Sequence, residues 1–202
     1  MKKIILISLI LIGHILYAND KTKTILFLGD SLTEGLGVSK NQAYPALVEN
    51  LIQTKLNINA KVINGGVSGS TTSDSISRLK WYLKSNPNIV FIALGANDGL
   101  RGLDLKQSKK NLEQLVELSQ KANAKVLLAG MLIPPNYGPD YSNDFENMFK
   151  LVKEKYDLDF MPFLLKDVAG VQELNQADGI HPNISGHKIM AKEVFKFLKE
   201  KI

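Results

Sequence analysis

A serine that attacks a carbonyl needs a base within hydrogen-bond reach, and the base needs an acceptor on its second ring nitrogen. Ser31, Asp178 and His181 have the types and surroundings for these three roles. Ser31 follows the apolar run Ile25-Leu26-Phe27-Leu28 after the turn Gly29-Asp30. Asp178 and His181 stand close together in Asp178-Gly179-Ile180-His181-Pro182, where a turn at Gly179 would bring carboxylate and imidazole together. Pro182 biases His181 toward extended backbone, which restrains the ring. Of the 3 histidines, His14 lies in a leader-like segment and His187 inside a predicted helix, so His181 is the favoured base. Two residues could serve a developing oxyanion. Gly69 lies in a turn-rich loop where a missing Cβ lets a backbone N–H approach a ligand. Asn97 follows a strand and can offer an amide donor. Each residue also has a plainer reading. Ser31-Leu32-Thr33-Glu34 matches the capping box S-x-x-E. Gly69 can be a simple turn glycine and Asn97 an Asx-turn. Asp178 and His181 can be surface residues of a helix-entry loop.

The elements that must position these residues are legible as alternating patterns. Residues 24–28, 61–63, 88–94, 125–129 and 158–161 read as strands, and the run Ile89-Val90-Phe91-Ile92-Ala93-Leu94 is apolar without alternation. Such a run suits a strand covered on both faces of a parallel sheet. Helical patterns at 43–56, 73–83, 108–121, 143–156 and 185–199 separate the strands, with Phe145, Met148, Phe149 and Val152 as a core stripe in the fourth. The alternation predicts a doubly wound α/β sandwich. In such sheets ligands bind beyond the carboxyl ends of the strands. Gly29-Asp30-Ser31, the loop from Asn64 to Gly69, and Gly95-Ala96-Asn97-Asp98 each follow a strand and should converge there.

Composition narrows the classes. The 202 residues suit one domain, and 45% hydrophobic with 22% charged residues is ordinary for a folded globular chain. Lys2 and Lys3, an apolar run to Ile12, and Ala18 before a polar start form the layout of a secretory leader. This divides the chain into a signal peptide, 1–18, and a catalytic domain, 19–202, and predicts an exported, periplasmic or secreted protein; the alternative is an uncleaved membrane anchor, for which the apolar stretch is short. Lys2 and Lys3 supply two of the +5 formal charges, and the only arginines are Arg78 and Arg101. No basic stripe with interleaved aromatics appears, so no nucleic-acid partner is indicated. The absence of cysteine excludes a thiol nucleophile and a lipidated cysteine anchor. Dinucleotide, P-loop and H-E-x-x-H motifs are missing, which argues against a nucleotide cofactor or zinc. The elbow G-x-S-x-G is also missing, because Thr33 stands where its second glycine would be.

Together, Gly29-Asp30-Ser31-Leu32, Asn64 to Ser70, Gly95-Ala96-Asn97-Asp98 and Asp178 to Pro182 resemble, in order, the four sequence blocks of the SGNH (GDSL) hydrolases. Asn97-Asp98-Gly99-Leu100-Arg101-Gly102 and Pro135-Asn136-Tyr137-Gly138 are similar to the periplasmic thioesterase I, lysophospholipase and arylesterase branch. Ser70 departs from that branch, which tends to carry Asp there. The resemblance implies a three-layer α/β/α sandwich on a five-stranded parallel sheet. It implies a serine esterase or thioesterase, needing no metal or cofactor, that acts on aryl esters, acyl thioesters and lysophospholipids. Ser31, Asp178 and His181 would be the catalytic triad. The N–H groups of Ser31 and Gly69 and the amide of Asn97 would form the oxyanion hole. Leu100, Met131, Ile133 and Tyr137 are expected to bind substrate, with Leu103 and Leu132 nearby as further apolar lining. The expected partner is a small acyl substrate, and the processed chain is expected to be a monomer without stable membrane insertion. A carbohydrate O-deacetylase and a non-catalytic flavodoxin-like binding domain are the alternatives.

Overall fold

A computed structural model describes residues 22–202; the signal peptide expected at 1–18 lies outside the described residues. Five parallel strands, β1 (Lys23–Gly29), β2 (Ala60–Gly66), β3 (Ile89–Ala93), β4 (Lys125–Ala129) and β5 (Asp159–Met161), form a sheet in the order β2-β1-β3-β4-β5. The strand sequence therefore reverses direction at β1, the switch point at which open α/β sheets leave a crevice. Gly29 pairs with Gly66 on one side and with Ala93 on the other. The ends of β1, β2 and β3 thus lie level, and the segments that follow them leave the sheet side by side.

The helices are α1 (Ser31–Glu34), α2 (Tyr44–Leu56), α3 (Ser75–Tyr82), α4 (Ala96–Leu100), α5 (Leu105–Lys121), α6 (Pro139–Tyr156) and α7 (Ile184–Leu198). Two, α5 and α6, begin a turn earlier than their apolar periodicity suggests, for local reasons. Asp104 caps α5 by accepting from Lys106 N at 2.9 Å. In α6, Pro139 occupies the first turn, where its fixed φ suits a helix start and its missing N–H costs nothing. All five residues of β3 are buried, as the unbroken apolar run requires. Phe27 of β1 packs edge-on against Tyr44 of α2 at 5.5 Å, joining strand and helix layers, and Phe145 and Phe149 meet edge-on within α6 at 5.3 Å in the same core.

Glycine permits the close approach that seats α1 on the sheet edge. A Cβ on Gly66 would lie 2.1 Å from the backbone nitrogen of Glu34. One on Gly29 would lie 2.0 Å from the Thr33 hydroxyl. Any larger residue at either position would lift the helix that begins with Ser31.

Candidate active site

Ser31 is the first residue of α1, and its cap is Asp30, whose Oδ1 accepts from Leu32 N at 3.0 Å. The capping box suggested by Ser31 and Glu34 is not formed. Asp30 takes the cap one residue earlier, and the Glu34 carboxylate instead accepts from Ser68 N at 2.7 Å and from the Ser68 hydroxyl. The Ser31 hydroxyl, with no capping bond to make, lies 2.9 Å from Nε2 of His181. Below it, Thr33 Oγ1 bonds the hydroxyl of buried Tyr44 at 2.9 Å and fixes α1 to the core. Burial pushes the Asp30 carboxyl up to about 6, opposed by the bond from Leu32 and by the nearby His181 charge.

The second ring nitrogen of His181, Nδ1, lies 2.7 Å from Asp178 Oδ2. Asp178 Oδ1 accepts from the backbone N–H groups of Ile180 and His181, each at 3.0 Å. The backbone N–H of His181, the imidazole and the Ile180 N–H hold this carboxyl down at about 2. Gly179, at φ 74°, makes the turn possible. The loop is closed by Gln176 N donating to His181 O at 2.8 Å. The Gln176 amide also donates to Leu36 O at 2.7 Å and Pro182 O at 3.0 Å, which staples the histidine loop to the exit of α1. His187 plays no part here. It is buried, accepts from Tyr44 N at 3.3 Å through Nδ1, and burial holds it down at about 4.

Gly69 adopts φ 78° in the turn after β2, and its carbonyl accepts from Arg101 at 3.0 Å. Among the described residues, the Gly69 N–H donates to no protein group. Asn97, in the first turn of α4, donates from Nδ2 to Ser70 O at 3.0 Å. It is therefore not closing its own loop; it bridges to the loop that carries Gly69. One amide proton is used by this bond and the second is left over.

Ser31, Asn97 and His181 line one cavity of about 510 Å³. Leu100, Met131 and Ile133 line it as expected, and so does Leu132. Tyr137 does not. Its hydroxyl donates to Leu100 O at 2.9 Å and its ring stacks on Tyr141, so it braces the wall from outside. Leu103 is exposed and also off the lining; Gly69 is not among the lining residues either, and its loop is tied to the lining residue Asn97 by the Ser70–Asn97 bond. Sequence reasoning missed Leu32, Phe163 and Leu165, which complete the apolar wall. The two last follow β5 in a segment without periodicity. Their signal was positional, since that segment too leaves the carboxyl edge of the sheet.

Comparison with known proteins follows the same geometry. The profile of the GDSL-like Lipase/Acylhydrolase family matches residues 27–189. Esterase TesA of Pseudomonas aeruginosa is 36% identical over 178 residues, covering 88% of each chain. Thioesterase 1/protease 1/lysophospholipase L1 of Escherichia coli is 35% identical over 177 residues, covering 87% of this chain and 83% of that protein. The crystal structure of psychrotrophic esterase EstA from Pseudoalteromonas sp., inhibited by monoethylphosphonate, superposes with a TM-score of 0.84 at 36% identity, covering 88% of this chain and 97% of that one.

Proposed function

The chain belongs to the GDSL-like lipase/acylhydrolase family, and on that footing we propose that it is a serine esterase and thioesterase whose nucleophile is Ser31. The observation that carries the assignment is the hydrogen-bond chain Asp178–His181–Ser31 opening into an apolar cavity. His181 Nε2 takes the hydroxyl proton as Ser31 Oγ attacks the acyl carbonyl. The N–H groups of Ser31 and Gly69 and the second amide proton of Asn97 receive the oxyanion. His181 then passes the proton to the leaving alcohol or thiol. Water, deprotonated by His181, releases the acid from Ser31. Asp178 remains ionised throughout at neutral pH, because its bonds hold it near 2. It fixes the tautomer that leaves Nε2 free and stabilises the imidazolium.

The substrate class follows from the walls. Leu100, Met131, Ile133 and Phe163 give an aliphatic acyl chain an apolar lining and offer an acetylated sugar few polar partners. This favours acyl thioesters, lysophospholipids and aryl esters over carbohydrate deacetylation. The related thioesterase 1/lysophospholipase L1 carries thioester and lysophospholipid activities in its name. We propose further that the protein is exported and works as a monomer after removal of residues 1–18. Among the described residues no helix is long and apolar enough to cross a membrane. A panel of aryl esters, acyl thioesters, lysophospholipid and acetylated sugars, with Ser31→Ala as control, tests the activity. Phosphonate adduct mapped to any residue other than Ser31 would refute the nucleophile. Mass spectrometry of exported protein should give a chain starting at or near Asn19.

A further inference from the structure

Asp98 follows Asn97 in α4, and its carboxylate is 1% exposed. A carboxylate held out of water is costly unless its oxygens are bonded. Here Oδ2 accepts from Thr72 N at 3.0 Å. Oδ1 accepts from the Thr72 hydroxyl at 2.7 Å and from the Ser108 hydroxyl at 2.8 Å. Asn111 Nδ2 donates to Thr72 Oγ1 at 3.0 Å, which commits the threonine proton to Asp98. One aspartate therefore grips a single residue of the loop after β2 with both oxygens and ties it to α5.

That residue stands three positions after Gly69 and two after Ser70. The loops carrying Gly69 and Asn97 are consequently joined by two rungs. One is Asn97 to Ser70 O; the other is Asp98 to Thr72. The first rung belongs to a side chain that must also present a proton to substrate. The second does no chemistry and is sealed from water. Donors accelerate a reaction only when preset at the position the oxyanion will occupy. An error of about 1 Å in such placement can cost up to roughly 10² in rate.

We propose that Asp98 is a positioning residue for the oxyanion site. By holding Thr72 it fixes the Gly69–Ser70 turn against Asn97, so that a backbone N–H and a side-chain amide converge on one oxygen. This rests on the oxyanion roles proposed above for Gly69 and Asn97. Arg78 steadies the same turn from the other side, donating to Ser70 Oγ at 2.5 Å and to Gly29 O at 2.8 Å. The turn is thus anchored to the strand end that precedes the nucleophile.

The test compares substitutions on the two sides of the carboxylate. Thr72→Val removes the hydroxyl bond on the oxyanion side, and Ser108→Ala removes one of similar length on the α5 side. For each full-length variant, kcat and KM are measured per site counted by end-point phosphonate titration. Affinity is measured for a trifluoromethyl ketone analogue and for the matching free fatty acid. Thr72→Val should lower kcat per site about 10- to 100-fold with KM within about twofold. Affinity for the ketone should fall by the same factor while fatty-acid affinity holds. Thr72→Ser should restore most of the rate, and Ser108→Ala should lower Tm with a far smaller effect on kcat. Asp98→Asn can keep an oxygen on Thr72 N–H, but it then sets an NH2 where Oδ1 accepted from the Thr72 and Ser108 hydroxyls, and it should lose more than Thr72→Val; if it does not fold, the threonine series decides. Wild-type kcat per site in Thr72→Val, or equal kcat losses in Thr72→Val and Ser108→Ala, overturns the proposal. Undiminished kcat in Asn97→Ala would instead remove the oxyanion reading on which it rests. Loss in Asn97→Ala without loss in Thr72→Val removes the positioning role alone.

Discussion

Replacing Asp178 with Asn should be more damaging than replacing it with Ala, although Asn is nearly isosteric. Oδ1 of residue 178 accepts two backbone N–H groups, from Ile180 and His181, each at 3.0 Å. An Asn oxygen can keep both bonds, which places its NH2 where Oδ2 stood, 2.7 Å from the ring nitrogen Nδ1. An NH2 group only donates, so Nδ1 must become the acceptor and the ring proton must move to Nε2. Nε2, 2.9 Å from Ser31 Oγ, could then no longer take the serine proton. In a buried triad this change of tautomer costs about 10⁴ in kcat. The Asp178 side chain is 45% exposed, so water competes for the ring and moderates the effect. The expected loss is about 10²–10³ in kcat/KM, roughly 2.7–4 kcal/mol. Asp178→Ala leaves the ring free to adopt the working tautomer, and water can satisfy the exposed backbone donors; it should retain roughly tenfold more activity than Asn. A short-chain aryl ester assayed at pH 8, with rates normalised to folded protein, distinguishes the two. Asn equal to or better than Ala would show that tautomer control is not what Asp178 supplies.

Ser31→Ala should abolish turnover while the melting temperature stays close to wild type. Asp30, not Ser31, is the cap, and among the described residues the one serine side-chain bond lost is that to His181, worth about 0.5–1.5 kcal/mol. Asn97→Ala should lower kcat and kcat/KM together by about 10²–10³ with little change in KM. Preserved kcat in a protein of lower melting temperature would make Asn97 a structural tether only. Two buried groups should pull the pH dependence of stability in opposite directions over nearly the same range. His187 is held down at about 4, so its neutral form contributes stability above its unfolded value near 6.5, which is lost as pH falls toward 4. Asp30 is pushed up to about 6, so its protonated form contributes stability below about 4, which is lost as pH rises toward 6. Denaturant titrations of His187→Gln should therefore show stability falling from pH 4 to 6.5, and those of Asp30→Asn should show it rising. The same slope in both variants would disprove the assignment of either group.

The sheet was legible because burial on both faces leaves an unmistakable pattern, and Ile89 to Leu94 could hardly be anything else. Element boundaries were less so, because they depend on single residues such as Asp104 and Pro139 rather than on periodicity. At the site, the spacing of Asp178, Gly179 and His181 encoded a local turn, and the structure closes it as that spacing suggested. Ser31 was ambiguous in isolation. S-x-x-E and D-S-x-x both cap a helix, and only the bond from Leu32 N to Asp30 Oδ1, with Glu34 drawn off to Ser68, shows which one does. Tyr137, expected among the substrate-binding residues, is off the cavity lining, and its hydroxyl instead holds Leu100 O from behind. Phe163 and Leu165 carry only the positional signal of a segment that leaves the carboxyl edge of the sheet, and the Asp98–Thr72 grip depends on contacts between distant segments, for which a single sequence carries no local signature.

The contacts of His181 differ greatly in how much chain they enclose. Its bond to Asp178 spans 3 residues, whereas its bond to Ser31 spans 150. The acid–base pair can form in almost any nascent or partly folded chain, since closing so short a loop takes little entropy. The nucleophile arrives only when β1, the strand at the switch point of the sheet, is seated between β2 and β3. Long-range closures of that kind are the slow events of folding. Recovery of esterase activity during refolding should therefore lag behind helix formation and report completion of the sheet. A partly folded chain can therefore hold its acid and base together and still be inert until its first strand has found the last of its loops.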